Sequence, residues 1–268
     1  MTPHLKRWLT GIIAVPLLFA VLIYGSKEVF LFLVILLSIG GIAEYGRLSF
    51  GEGLCIEKIE GYVAALILPL TAYAGGLEMM AAWTAALFMA AFLIFLGGLE
   101  GPAFDMGRLY KVAFGMLYVP LMISHLVLLR NDERGVLWIF LMIVIAFAGD
   151  FTAFYVGRKL GRNKLMPHVS QGKTVEGAVG SVAGSVIGCL IFRAWFFPEL
   201  AVHHAMIMGL VGNMVGELGD LCESVLKRSA GVKDSGTIFP GHGGVLDRLD
   251  CILFIGPFIC YYRWLTTG

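Results

Sequence analysis

Charge is what this 268-residue chain has least of: only 15% of its residues are Asp, Glu, Lys or Arg, against 58% that are hydrophobic. Soluble domains carry about 25% charged residues, so a water-soluble globule is excluded. Neither sign dominates, since 20 Lys+Arg face 19 Asp+Glu for a net charge of +1, and the bulk basicity that grips nucleic acid is missing. Proline is scarce, at 9 residues, which excludes a collagenous or low-complexity chain. The five cysteines, Cys55, Cys189, Cys222, Cys251 and Cys260, include no C-x-x-C pair. They match neither a zinc site nor a disulfide framework and read as small apolar packing residues. Strand-like alternation over segments of about 10 residues is absent, which excludes an outer-membrane barrel.

What the chain does contain is glycine and long apolar runs. Its 35 glycines are roughly twice the usual share and suit helices packed closely in a membrane. A bilayer core takes about 20 apolar residues per helix. Cut at charges and at Gly/Pro clusters, the sequence yields nine runs: Leu9 to Tyr24, Val29 to Arg47, Gly61 to Gly75, Met79 to Gly97, Leu109 to Leu129, Val136 to Gly157, Val175 to Phe197, Val202 to Glu223 and Leu249 to Leu265. The expected fold is an all-α integral membrane protein, a polytopic bundle of about nine transmembrane helices. Lys6 and Arg7 before the first run give it the outline of a signal peptide, but Tyr24-Gly25-Ser26 offers no cleavage site, so a retained first span is expected.

Basic residues are retained on the cytoplasmic side of a membrane. With a cytoplasmic N-terminus, the inner segments hold Lys6, Arg7, Arg47, Lys58, Arg108, Lys111, Arg158, Lys159, Arg162, Lys164, Lys173, Lys227, Arg228, Lys233 and Arg248, and the outer ones only Lys27, Arg130, Arg134, Arg193 and Arg263. The two longest inner loops, Arg158 to Thr174 and Ser224 to Arg248, are also the most polar, which places a polar cavity at the cytoplasmic face. Residues 1–130 read as transmembrane scaffold and 131–268 as the catalytic region. No inverted repeat relates the two halves, unlike many secondary transporters.

The eighth run carries the sharpest geometric signal. Asn213, Glu217, Asp220, Ser224 and Lys227 fall within an arc of roughly 80° on a helix. Ionisable groups at membrane depth normally face a bundle interior or wet cavity and mark an ion or substrate site. A helix end emerging into water would explain Lys227 and Arg228 but not Asn213 or Glu217. Asp150, in the apolar sixth run, needs a cation or donor for the same reason and is expected at the same cavity. After the stripe come Lys233-Asp234-Ser235-Gly236, Pro240-Gly241-His242-Gly243-Gly244 and Asp247-Arg248-Leu249-Asp250. Basic groups, a hydroxyl and close-approach glycines are what a phosphate site needs, and Asp247 and Asp250, sharing a helix face, suit magnesium. Together with the acidic stripe they point to a metal-bound polyphosphate.

These residues resemble the signature of the phosphatidate cytidylyltransferases, also called CDP-diacylglycerol synthases. It is matched by Ser224, Lys227 and Arg228, by Lys233, Asp234 and Gly236, by Phe239, Pro240, His242, Gly243 and Gly244, and by Asp247, Arg248 and Asp250. Upstream, Asp150, Ala153 and Tyr155 to Lys159 resemble the family's sixth span, and Ser170 to Gly177 its S-P-x-K-T-x-E-G segment, with Gln171 for the usual proline and Val175 for a common tryptophan. Gly219-Asp220-Leu221 with Glu223-Ser224 is similar to its G-D-apolar-x-E-S step. The likeness runs from about Gly149 to the C-terminus.

The resemblance implies transfer of CMP from CTP to phosphatidic acid with a divalent metal. Asp220 and Asp247 become the first-choice metal ligands, with Asp250, Glu217 and Ser224 behind them. Magnesium is expected, with one cation or two left open. Lys173, Lys227, Arg228, Lys233 and Arg248 would hold phosphates of CTP or lipid. Thr174, Gly243 and Gly244 would line the substrate site, His242 would bond a phosphate or shape the glycine turn, and Glu176 and Asn213 would support. The family adds a homodimer, and the compact chain suggests a bacterial inner membrane with the active site facing the cytoplasm.

Other readings explain less. A CTP-dependent kinase of a membrane alcohol would need a base or metal to activate a neutral hydroxyl. A cation transporter could use Asp150, Glu217 and Asp220 but has no need of the long polar loop. His203 and His204 read as a solvated outer loop, and His125 and Glu44 as buried hydrogen-bond partners. Gly180, Gly184 and Gly188 in the seventh run read as a packing seam.

Overall fold

The computed structural model describes residues 16–98, 105–238 and 243–267. The first part of the expected first span and the segment Phe239 to His242 lie outside the described residues. The chain forms two compact units. One is the chain up to Asn131 together with Asp234–Arg248, and the other is Asp132–Lys233 together with the chain from Leu249. Among the described residues six helices are long and apolar enough to cross a membrane, and the chain is an all-α integral membrane protein.

In the first unit, a helical stretch over 16–24 breaks at Gly25. The Ser26 hydroxyl then accepts from the Val29 N–H and starts α1, Lys27–Phe50, which stops at Gly51 with φ 78°. Helix α2, Ile56–Gly97, has 42 residues, about 63 Å of helix at 1.5 Å per residue, twice what a bilayer core needs. Gly76 resolves the excess: at φ 66° and ψ −154° its backbone is non-helical and divides α2 into two helices. A side chain there would be strained, whereas glycine enters that region freely. This break falls between the apolar runs ending at Gly75 and beginning at Met79.

Helix α3, Met106–Asn131, begins at Asp105, whose carboxylate accepts from Gly107 N–H at 2.9 Å. Its middle turn, Leu117–Leu121, is π-helical around Pro120, which lacks the N–H an α-helix would use. Ser124 Oγ donates to the Pro120 carbonyl at 2.6 Å, giving that oxygen a partner. Leu68, Met80, Ile123 and Leu129 are fully buried in this unit.

In the second unit, α4 (Gly135–Leu160) is followed by a short antiparallel hairpin, β1 (Lys164–Met166) and β2 (Ser170–Thr174), in register Lys164 with Thr174 and Met166 with Ser170. Thr174 then caps α5, Val175–Phe196, its hydroxyl accepting from Gly177 N–H at 3.1 Å. Helices α6 (Val202–Ser229) and α8 (Ile252–Thr267) complete it; a single turn, α7 (Leu246–Leu249), lies in the chain where the segment Asp234–Arg248 of the first unit ends.

The helices of this unit approach closely because glycines line their seams. A Cβ at Gly180 would sit 2.7 Å from Val156, at Gly184 2.1 Å from Thr152, and at Gly188 2.9 Å from Ala148, so α5 rests directly on α4. Gly209 of α6 would meet the Val186 backbone at 2.5 Å. The opposite face of α4 exposes Phe147, Phe151 and Phe154, each more than half accessible, an apolar surface suited to acyl chains rather than water.

Candidate active site

The acidic face expected on α6 is real and is met by a lysine from the hairpin. Lys173 Nζ lies 2.6 Å from Glu217 Oε2 and 2.6 Å from Asp220 Oδ2. Burial works against the ammonium charge, but the Asp220 and Glu217 carboxylates outweigh it and hold the Lys173 pKa above its ordinary value. The short run from β2 into the Thr174 cap gives this lysine its place, since the cap pins the strand end to α5 one residue later.

Below the ion pair a hydrogen-bond ladder crosses to α5. Ser181 Oγ donates to Glu217 Oε1 at 3.3 Å, and Asn213 Nδ2 donates to Ser181 Oγ and Ser185 Oγ, both at 2.9 Å. Ser185 in turn donates to the Ile145 carbonyl at 2.7 Å. Asn213 is thus spent on aligning α5 with α6, and its Oδ1 has no hydrogen-bond partner among the described residues.

Two hollows flank the pair. A cavity of about 570 Å³ is lined by Asp150, Phe154, Arg158, Lys173, Thr174 and Glu217 among others. A smaller one of about 40 Å³ is lined by Asp150, Lys173, Asn213, Glu217, Asp220 and Asp250. Asp150 therefore does share its surroundings with Asp220. Carboxylate oxygens of Asp220, Glu223 and Asp250 lie within 4.8 Å of one another, a donor set of hard oxygens of the kind divalent cations take. Glu223 was not among the expected ligands. It lies outside the arc of the stripe, is fully buried, and pairs with Lys227 one turn on.

Other expected residues are used structurally. Glu176 accepts from the backbone N–H of Arg162 and Asn163 and from Asn163 Nδ2, closing the entry to the hairpin. Arg228 braces the loops through the carbonyls of Val169, at 3.3 Å, and Val232, at 3.1 Å. Ser224 reaches Asp220 Oδ1 at 3.5 Å. Lys233 and Arg248 are exposed.

The segment Asp234–Arg248 belongs to the first unit. Asp247 Oδ2 accepts from Ser235 N–H at 2.9 Å and Gly244 N–H at 2.8 Å, and the Ser235 hydroxyl, which also reaches Glu44, lies 2.9 Å from it. Gly243, at φ 83°, occupies the left-handed region, and a Cβ there would sit 2.5 Å from Asp247 Oδ2. His242 lies outside the described residues. Glu44 is a buried hydrogen-bond partner, as the sequence indicates, and its partners are Ser235, Val245 and Leu246.

A polytopic helical membrane protein with acids, a paired lysine and a cavity beside them has the makings of an enzyme acting on phosphates at a membrane. The chain belongs to the Cytidylyltransferase family, whose model matches residues 5–266. It is 31% identical over 265 residues to the phosphatidate cytidylyltransferase of Bacillus subtilis (strain 168), covering 96% of each chain. It is 32% identical to that of Staphylococcus saprophyticus, covering 94% of this chain and 96% of the relative. A phosphatidate cytidylyltransferase of a Synechocystis strain is 41% identical over 135 residues, half of this chain.

Proposed function

We propose that this protein transfers CMP from CTP to phosphatidic acid, releasing pyrophosphate and forming CDP-diacylglycerol for phospholipid synthesis. The observation that carries the reading is the assembly on α6, in which Lys173 is held between Glu217 and Asp220 beside the acids Asp220, Glu223 and Asp250. The relatives' names supply the substrates.

The chemistry asks little of a base. A phosphomonoester has a second pKa of about 6, so the lipid phosphate is largely dianionic at neutral pH and is already a nucleophile. One of its oxygens attacks the α-phosphorus of CTP in line. The bond from that phosphorus to the oxygen bridging to the β-phosphate breaks, and pyrophosphate leaves with the electron pair. What the protein supplies is position and positive charge. Lys173, fixed by two carboxylates, presents an ammonium at the cavity wall, and Lys227, Arg228, Lys233 and Arg248 are assigned to the remaining phosphate charge. Thr174, Ser224, His242, Gly243 and Gly244 are assigned to substrate contacts on the strength of the signature.

The Asp220, Glu223 and Asp250 oxygens fit a hard divalent cation, and magnesium is the proposed one. Bound there, it would neutralise phosphate charge as a Lewis acid. Glu217 is paired with Lys173, and Asp247 Oδ2 already accepts from two backbone N–H groups, so their assignment as ligands rests on the signature alone.

The membrane reading extends to nine spans, with α2 counted as two across Gly76, a cytoplasmic N-terminus and a cavity open to the cytoplasm, where CTP is found. Residues 131–268 carry the transfer chemistry and 1–130 the scaffold, in a bacterial inner membrane and as a homodimer. The test is pyrophosphate release by detergent-purified protein given phosphatidic acid, CTP and magnesium, each omitted in turn. Dependence on all three supports the reading; release of CDP rather than pyrophosphate, with a polyprenol in place of phosphatidic acid, overturns it in favour of a lipid kinase.

A further inference from the structure

The loop that carries most of the signature is folded around a carboxylate from the first half of the chain. Glu44 sits on α1 and is wholly inaccessible. Its Oε1 accepts from Val245 N–H at 2.9 Å and its Oε2 from Leu246 N–H at 2.9 Å, while the Ser235 hydroxyl, whose single proton serves either Glu44 or Asp247, lies 2.8 Å from Oε2. A buried carboxyl needs hydrogen-bond partners, and here they come from Ser235, Val245 and Leu246.

Three further observations show that the loop is shaped to this acid. A Cβ at Gly236 would lie 2.3 Å from Glu44 Oε1, and one at Gly244 2.3 Å from Oε2, so a side chain at either position would displace the carboxyl group from the loop. One turn before Glu44, Gly40 and Gly41 leave room for the apolar residues of the same loop. A Cβ at Gly40 would meet Val245 Cγ2 at 2.9 Å, and one at Gly41 would meet Leu246 Cδ2 at 3.3 Å. Val245 and Leu246 are themselves buried. Ser235 Oγ lies 2.8 Å from Glu44 and 2.9 Å from Asp247, so the hydroxyl joins the buried acid to the signature aspartate.

We infer that Glu44 is a positioning residue for the transfer reaction: it touches no substrate, but its carboxyl group is the template on which Ser235, Gly236 and residues 243–246 are held and Asp247 is oriented. The catalytic part of this inference rests on the cytidylyltransferase reading. A first half regarded as scaffold thus contributes, through Gly40, Gly41 and Glu44, the seat of the signature loop.

The test compares the full-length protein with Glu44→Gln, which keeps the shape but turns an N–H donor toward the loop's own donors. Glu60→Gln, another buried acid of the same unit without a bond to the loop, is the control. In Glu44→Gln, hydrogen exchange in peptides covering residues 243–249 should quicken by roughly tenfold or more, the scale of one lost charge-assisted hydrogen bond. Turnover per folded molecule should fall by a similar factor, with exchange elsewhere unchanged and neither effect in Glu60→Gln. Gly236→Ala, which pushes the loop off Glu44 from the other side, should reproduce both effects and serves if Glu44→Gln does not fold. Wild-type exchange at 243–249 in a folded variant, or wild-type turnover with a loosened loop, would overturn the inference. Should the unmodified protein fail to convert CTP and phosphatidic acid, the reaction is misassigned, and the exchange comparison still decides whether Glu44 holds the loop.

Discussion

Lys173 Nζ and Glu217 Oε2 lie 2.6 Å apart, tying the hairpin before α5 to the polar face of α6. The same ammonium reaches Asp220 at 2.6 Å, so one residue anchors the strand and balances two acids. Replacing it with Met keeps the stem and removes the charge. Lys173→Met should lower turnover by about 100-fold, the usual effect of losing one preorganised donor at a phosphoryl site. Steady-state kinetics on the folded variant checks this.

Asp220 has two duties, pairing with Lys173 and contributing to the group with Glu223 and Asp250. Asp220→Asn should therefore lose most turnover, about 100-fold or more. Asp250→Asn, which leaves the lysine pair intact, should chiefly raise the magnesium needed for half-maximal rate. Turnover titrated against magnesium separates the two.

Glu223 is a different kind of acid, fully buried and paired with Lys227. Removing one partner of a buried pair leaves the other charge stranded. Glu223→Ala should destabilise the protein by about 3 kcal/mol, seen as a lower melting temperature in detergent.

The glycine seam between α4 and α5 makes a purely steric prediction. In Gly184→Val the new side chain would begin 2.1 Å from Thr152 Oγ1, so the helices must separate. A loss of about 1 to 3 kcal/mol is expected from overpacking. Gly97→Ala, which meets nothing within 4 Å, should be tolerated in the same melting assay.

Helical periodicity made the α6 stripe readable, because Asn213, Glu217 and Asp220 repeat at a helix's own spacing. No such period relates Lys173 to Glu217, which are 44 positions apart, so their pairing appears only in the folded chain. Glu44 shows the limit more sharply. Its burial and its role as a hydrogen-bond partner followed from an acid in an apolar run, but its partners stand 191 to 202 positions downstream. Nothing local marks them except the glycines that make room. The hairpin at 164–174 carries no strand pattern in the sequence, because its apolar residues Leu165, Met166 and Val169 do not alternate with polar ones. The break at Gly76 was visible as a gap between two runs, whereas the π-helical turn at Pro120 was hidden inside one.

The most direct test of the account follows the phosphorus atoms of CTP. The purified protein is given phosphatidic acid and magnesium with CTP labelled at either the α- or the γ-phosphate, and the lipid is extracted and counted. The account predicts α-label in CDP-diacylglycerol, γ-label only in pyrophosphate, and α-label transfer about 100-fold slower in Asp220→Asn. Label from the γ-phosphate in the lipid, or none from the α-phosphate with folded protein, would contradict it.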